Sequence, residues 1–338
     1  GFKGDVKSGF VRSGRGKEMD GNGRVVYEGE WSDGERKKSV SRILITKRIR
    51  DVILDENCWY AIRRVDYHNI PVGIDLGMTN SCVCCMRHEV LSAFPMPDGS
   101  YLLPSAVFYG RNDPILGSIV RTYMTQGRRD IARYSKRVMG RDFNSPEVEE
   151  LKNRFGCPLI EVDGKPVYEF ENGVRKTPEE VGADIVEYCL SAVKTCTYWT
   201  IGDVCISIPV QFDNIQRAAT MDAVKKAGIP EDRIHVVSEP VAAAVSYLCA
   251  NPMENGCLLV FDFGGIAFNV SIIRVYYDRI IVEANRGNNH LGGLDMDYAI
   301  LEWMKKEYKS LTGEDLPERD RRGTNRPLLK LLAIAEKA

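Results

Sequence analysis

Four separated stretches of this sequence share one design: polar or glycine residues closing an apolar run of strand length. "VGIDLGMTNSCV" ends a run on Asp75 and turns through Gly77, Met78, Thr79 and Asn80 into the next. "LLVFDFGGIAFNVSII", residues 258–273, does the same with Asp262, Gly264 and Gly265. "HVVSEPVAAAV" sets Glu239 after a strand and Pro240 at the start of an alanine-rich helix. "GNNHLGGLDMD" places Gly292 and Gly293 just before a helix, where orphan N–H groups favour an anion. The first two read as strand, tight glycine turn, strand. Such turns expose backbone N–H groups that wrap a phosphate, and an adjacent aspartate can hold a metal. Alone, each is more often a plain turn. Two Asp-x-Gly hairpins facing each other supply two backbone cradles and two carboxylates for magnesium, which a nucleoside triphosphate requires. The P-loop pattern is absent: "GRGKE" at 14–18 fails on spacing and on the residue after lysine.

From "IPVGIDLG" onward the texture is that of a large α/β domain. Apolar strands are predicted at 71–76, 203–208, 234–237 and 257–261, alternating with helices at 178–196, 213–227, 240–249 and 294–309. Asp213 or Asn214 caps the second helix and Gly228 stops it. A net charge of −1 gives no bulk attraction to nucleic acid or to an anionic membrane. No apolar run approaches the ~20 residues of a membrane span. The ten cysteines include one C-x-x-C spacing, Cys82 to Cys85, whose members fall on opposite strand faces, and the four histidines are scattered, so a metal cluster is not expected. In "CVCC", Cys82 and Cys84 fall on one strand face and Cys85 on the other. Reduced cysteines used as small apolar fillers, in a cytoplasmic protein, are the expectation.

Residues 1–38 have a different texture, rich in glycine and charge. Phe2-x-Gly4 with Gly9, and Tyr27-x-Gly29-x-Trp31 with Gly34, repeat an aromatic-glycine-glycine spacing 25 residues apart. Short glycine-turn hairpins produce such a pattern. The segment resembles MORN (membrane occupation and recognition nexus) repeats in "YEGEWSDGERKKS" and, more weakly, "FKGDVKSGFVRSGRG", where Val6 stands in place of the family's tryptophan. The resemblance implies a small all-β repeat segment that contacts a protein or membrane surface, with further repeats before Gly1. Residues 39–70 read as a connector. A first residue of glycine with no apolar signal segment after it fits a piece of a longer chain.

Residues 71–338 resemble the nucleotide-binding domain of the 70-kDa heat-shock chaperones, within the actin and sugar-kinase-like ATPase superfamily. The resemblance rests on the four stretches above and on "GSIVRTYMTQGRRDIARYSKRVMGRDF", "SIPVQFDNIQRAATMDAVKKAG" and "AIAEKA", all in the family's order. It implies an α/β, actin-like (ribonuclease H-like) bilobal ATPase fold with an incomplete second lobe. Asp75 and Asp262 would hold hydrated Mg2+. Gly77, Met78, Thr79 and Asn80 would form the first phosphate loop, and Gly264 and Gly265, followed by Ile266 and Ala267, the second. Gly292 and Gly293 would lie on the ribose and phosphate side of ATP or ADP. Glu239 would shape the water and magnesium network, Pro209 would be an interlobe switch, and Glu336 would begin the adenosine clasp. The catalytic lysine falls, without a gap from Gly117 to Phe143, on Arg121.

Departures from the family pattern cluster at the phosphate loops. Met78 stands for threonine, Ile266 for glycine, Ala267 for threonine, Asn269 for aspartate and Leu294 for glutamate. A β-branched residue resists positive φ, so the second loop is expected to be reshaped. Loss of one preorganised donor typically costs ~10²–10³ in rate. The expectation is therefore an ATP-binding chaperone-family domain with slowed hydrolysis. Its partners would be co-chaperones or unfolded protein in the full-length context, and not nucleic acid. The alternative is a pseudo-ATPase serving as an interaction or scaffold module. A sugar kinase or filament-forming relative fits poorly, because no sugar-binding motif is apparent.

Overall fold

The computed structural model describes residues 69–87, 90–111, 113–153, 155–197, 200–277, 279–317 and 326–336, and the backbone of four strands within residues 2–36. Those strands, β1 (Phe2–Lys7), β2 (Val11–Met19), β3 (Val25–Ser32) and β4 (Glu35–Arg36), form an antiparallel meander. Gly16 stands opposite both Gly4 and Gly29, so spaced glycines align across three strands. The connector expected over 39–70 lies outside the described residues as far as position 68.

The main body is mixed α/β. Strands β5 (Asn69–Asp75), β6 (Asn80–Arg87), β7 (Val90–Ala93) and β8 (Leu103–Pro104) come first. Two small ladders follow: β9 (Ala106–Phe108) with β10 (Ile131–Arg133), and β11 (Leu159–Val162) with β12 (Lys165–Glu169) and β13 (Arg175–Lys176). Then β14 (Thr200–Ile208) and β15 (Ile234–Ser238) complete a six-stranded sheet ordered β15-β14-β5-β6-β7, with β8 beside β6. β14 runs parallel to both β5 and β15, whereas β6 runs antiparallel to both β5 and β7. Parallel pairs need crossover connections, and the helices Pro178–Thr197 and Asn214–Lys226 are within them.

Periodicity explains the core. The Pro178–Thr197 helix buries Val181, Ile185, Cys189, Ala192 and Val193 along one stripe, beneath Ile70, Val72 and Ile74 of β5 in the same apolar cluster. Cys85 packs into that cluster while Cys82 and Cys84 face the other way, as the alternation requires. The Asn214–Lys226 helix starts on a capping box in which the Asp213 side chain accepts from the Gln216 N–H at 2.9 Å. Gly228, at φ +90°, follows its end.

A second, three-stranded antiparallel sheet holds β16 (Asn255–Phe263), β17 (Phe268–Tyr276) and β18 (Arg279–Asn288) in that order. The helix Glu239–Ala250 packs on it, and the helices Gly293–Thr312 and Arg326–Ala335 pack on each other. Among the described residues no helix is long and apolar enough to cross a membrane.

Candidate functional site

Parallel strands deliver their carboxyl ends to one edge of a sheet, and crevices form there. β5 ends on Asp75, β14 carries Ser207 one residue before its end, and β15 leads directly into Glu239. Glu239 opens its helix with Pro240 next, where a fixed φ and a missing N–H suit the first turn and the dipole favours a carboxylate. β16 brings Asp262 from the second sheet to the same cleft. The cleft encloses about 770 Å³, within the ~300–1,000 Å³ usual for ligand pockets.

One buried cation sits among these carboxylates. Lys136 is 1% exposed, and its Nζ donates to Glu239 Oε1 at 2.6 Å. The same nitrogen lies 3.4 Å from the Ser207 carbonyl, and the Ser207 hydroxyl donates to Asp75 Oδ1 at 2.7 Å. Lys136 belongs to a single helical turn, Ser135–Val138, whose four residues are all buried. Tyr134, held at φ 61°, launches that turn. A left-handed tyrosine is strained, and such strain collects where a side chain must be aimed.

Three carboxylates against one ammonium leave an excess of negative charge. Burial pushes the Glu239 carboxyl above its ordinary range; Lys136 pulls it back, and Asp75 and Asp262 push it further up. Asp262 is also raised, first by burial and then by the Asp75 charge, with Lys136 opposing. A divalent cation would relieve that repulsion, and an all-oxygen donor set suits Mg2+. Among the described residues no three His, Cys, Asp or Glu side chains converge closely enough to ligate a metal directly. The fit is to a hydrated ion held through its waters.

Two glycine turns face each other across the cleft. In the first, Gly77, Met78, Thr79 and Asn80 all line it. A Cβ on Gly77 would lie 2.0 Å from the Asn80 carbonyl oxygen, so no side chain fits that turn. In the second, Gly264, Gly265, Ile266 and Ala267 line the cleft, and the Gly264 N–H donates to the Ala267 carbonyl at 2.9 Å. No residue from 264 to 267 has positive φ, so Ile266 takes ordinary backbone. Asn269 lies opposite Asp262 in the hairpin, and its Oδ1 accepts from Gln211 Nε2 at 2.5 Å.

Gly292 and Gly293 do not supply the free N–H groups expected of them. The Gly293 N–H donates to the Gly264 carbonyl at 2.9 Å and the Leu294 N–H to the Gly265 carbonyl at 2.8 Å. The Gly292 N–H goes to Asp295 Oδ2 at 2.8 Å. The helix start is spent on protein oxygens because the second turn sits against it. A Cβ on Gly292 would come within 2.6 Å of the Gly265 backbone.

Residues 71–338 match the family model described as Hsp70 protein. The chain belongs to the Hsp70 family. A heat shock 70 kDa protein of Neurospora crassa is 31% identical over 272 residues, which are 79% of this chain and 41% of that protein. A ribosome-associated molecular chaperone of Zygosaccharomyces rouxii is 30% identical over 272 residues, covering 79% of this chain and 43% of that protein. This Hsp70-family chain therefore spans less than half the length of these curated relatives.

Of the residues assigned by resemblance, the cleft of this Hsp70-family chain gathers Asp75, Gly77, Met78, Thr79, Asn80, Pro209, Glu239, Asp262, Gly264, Gly265, Ile266 and Ala267. Arg121, Gly292, Gly293 and Glu336 stand outside its lining. Arg121 instead donates to Asn80 Oδ1 at 2.7 Å and pairs with Glu336, both ends of the pair being half-exposed. The ammonium that does reach the carboxylates is Lys136, fifteen positions on in the same stretch. Sequence reasoning passed over it because its partner, Glu239, is 103 residues away. One signal was present: a lysine inside the apolar frame of Tyr134, Val138 and Met139, where an unpaired charge would not be tolerated.

Proposed function

We propose that this chain is an Hsp70-type nucleotide-binding region that takes up MgATP and MgADP in the cleft and hydrolyses ATP slowly. The observation that carries the reading is the Lys136–Glu239 pair, set beside Asp75 and Asp262 between two glycine turns. Mg2+, when bound, neutralises phosphate charge and polarises the phosphoryl group. Asp75 and Asp262 would hold its water shell, and Lys136 would face the developing negative charge in Arg121's stead. Glu239 holds that ammonium in place through their 2.6 Å hydrogen bond. The two turns supply close backbone approach to the phosphates.

Slow turnover follows from what the second turn lacks. Ala267 offers no hydroxyl, Ile266 no flexible glycine, and the Asn269 amide is engaged by Gln211. The two sheets with their helices are in our reading the two lobes of an actin-like ATPase fold, the second incomplete. Co-chaperones and unfolded protein would be its partners in a longer chain. The strands of residues 2–36, with glycines aligned across them, are in our reading MORN-type repeats that contact a protein or membrane surface.

Calorimetry of the 338-residue chain with MgATP and MgADP tests the binding claim. Uptake of both at micromolar concentration is expected; uptake of neither overturns it and leaves the pseudo-ATPase reading. The combined substitution Ile266→Gly, Ala267→Thr and Asn269→Asp should raise single-turnover hydrolysis by roughly 10²-fold or more. An unchanged rate would mean that the second turn is not the lesion.

A further inference from the structure

Three apolar side chains, one from each glycine turn and one from the helix start behind them, join one buried cluster. Ile266 is 2% exposed, and every other fully buried member of that cluster lies between Ile70 and Ile234. Ile266 is thus the apolar residue that carries the β16–β17 turn into the core of the first sheet. Met78 of the first turn and Leu294 at the start of the Gly293–Thr312 helix pack against the same cluster. Around them the backbone is closely stacked: a Cβ on Gly265 would meet the Thr79 side chain at 2.3 Å, and Gly292 presses on Gly265 from beyond. A polar contact runs parallel to this seam, Arg137 Nη2 lying 3.5 Å from His290 Nδ1.

In a site made of two turns, something must draw the halves together. Where a bridging ligand does so, part of its affinity is spent on closure. Where protein contacts already do so, a ligand has nothing left to shift, because it moves an equilibrium only by its differential affinity for the two states. The turns of this chain are already in contact. They also offer little that distinguishes a terminal phosphate: Met78, Ile266 and Ala267 carry no hydroxyl, the Thr79 hydroxyl lies against Gly265, and the N–H groups of Gly264, Gly293 and Leu294 are engaged by carbonyls.

We propose that Met78, Ile266 and Leu294 form an apolar bolt that fastens the second glycine turn to the first sheet's core before nucleotide arrives, so that the diphosphate and triphosphate bind alike and neither drives closure. The affinity half of this inference rests on the nucleotide reading above; the fastening does not. Burial of one isoleucine side chain shifts an open–closed equilibrium by roughly 10- to 100-fold.

Hydrogen exchange of the chain, read at the amides of Gly264, Gly293 and Leu294, tests the bolt. In the parent chain their protection should differ by less than fivefold among the nucleotide-free, MgADP and MgATP states. Calorimetric affinities for MgADP and MgATP should also agree within fivefold. Ile266→Gly should speed nucleotide-free exchange at these amides by tenfold or more, with protection regained on adding MgADP, whereas Ile266→Val should behave as the parent. If Ile266→Gly fails to fold, Leu294→Ser and Met78→Thr take its place, each expected to speed exchange at least threefold. Protection in the parent chain that rises fivefold or more with MgATP, or a fivefold preference for either nucleotide, overturns the proposal. If neither nucleotide binds, the nucleotide reading fails, and the nucleotide-free contrast between parent and Ile266→Gly still decides the fastening.

Discussion

The turn between β5 and β6 and the turn between β16 and β17 start from similar stretches, Asp-Leu-Gly and Asp-Phe-Gly-Gly. The first presents Gly77 through Asn80 to the cleft, anchored from behind where the Ser105 N–H donates to the Thr79 carbonyl at 2.9 Å. The second lines the cleft too but is hemmed in by protein: Thr79 covers Gly265, Gly292 presses on it, and Ile266 is buried beneath. A glycine turn is a phosphate cradle only while its N–H groups face the cleft, and the same lack of a Cβ that admits a phosphate also admits another backbone. Which of the two happens depends on the neighbours.

The strongest test of this contrast belongs to Lys136. Lys136→Ala would leave Glu239 beside Asp75 and Asp262 without a counter-charge. Removing one partner of a buried pair costs about 3–5 kcal/mol. Chemical denaturation should show that loss, and hydrolysis should fall below detection. A destabilisation under about 1 kcal/mol would mean that the cation is not what holds the carboxylates together.

Next in size is Gly292→Ala, because the atoms it meets at 2.6 Å are the backbone of Gly265, which cannot rotate away. A cost of about 1–3 kcal/mol in urea unfolding is expected, as for other overpacked sites. Wild-type stability would show that the helix start and the second turn are looser than the packing implies.

A smaller effect concerns pH. Glu239 and Asp262 are raised above their ordinary values of 4.5 and 3.8. Their ionised forms are thus disfavoured in the fold. They add stability below those ordinary values, and lose it as pH rises through the raised ones. A magnesium ion binds the ionised forms and reverses that loss. The rise in melting temperature on adding Mg2+ should therefore be larger near neutral pH than at about pH 5. An equal rise at both would remove these two groups from the metal site.

The mildest substitution is the most useful for sorting two cations. Arg121→Ala removes a pair whose side chains are 42% and 50% exposed, and such pairs contribute about 0–1 kcal/mol. Turnover should stay within about threefold of the parent, against the full loss at Lys136. A hundredfold drop at Arg121 would return the catalytic cation to the position that the family resemblance first gave it.

Much of this was legible in the chain itself. A strand ending on Asp75, another carrying Asp262 one residue before its end, the helix capped at Asp213, and Cys85 turned away from Cys82 and Cys84 all follow from local periodicity and turn chemistry. Those are short-range effects, complete within a few residues. The rest came from packing between partners far apart in sequence. Lys136 becomes the buried cation because Glu239 is brought to it from another strand end, and the Gly293 and Leu294 amides are consumed because the second turn lies against them. Ile266, which in the sequence reads only as a glycine lost from a turn, becomes a core residue of the opposite sheet. Burial and hydrogen-bond satisfaction depend on what the fold places alongside, and no local pattern records that.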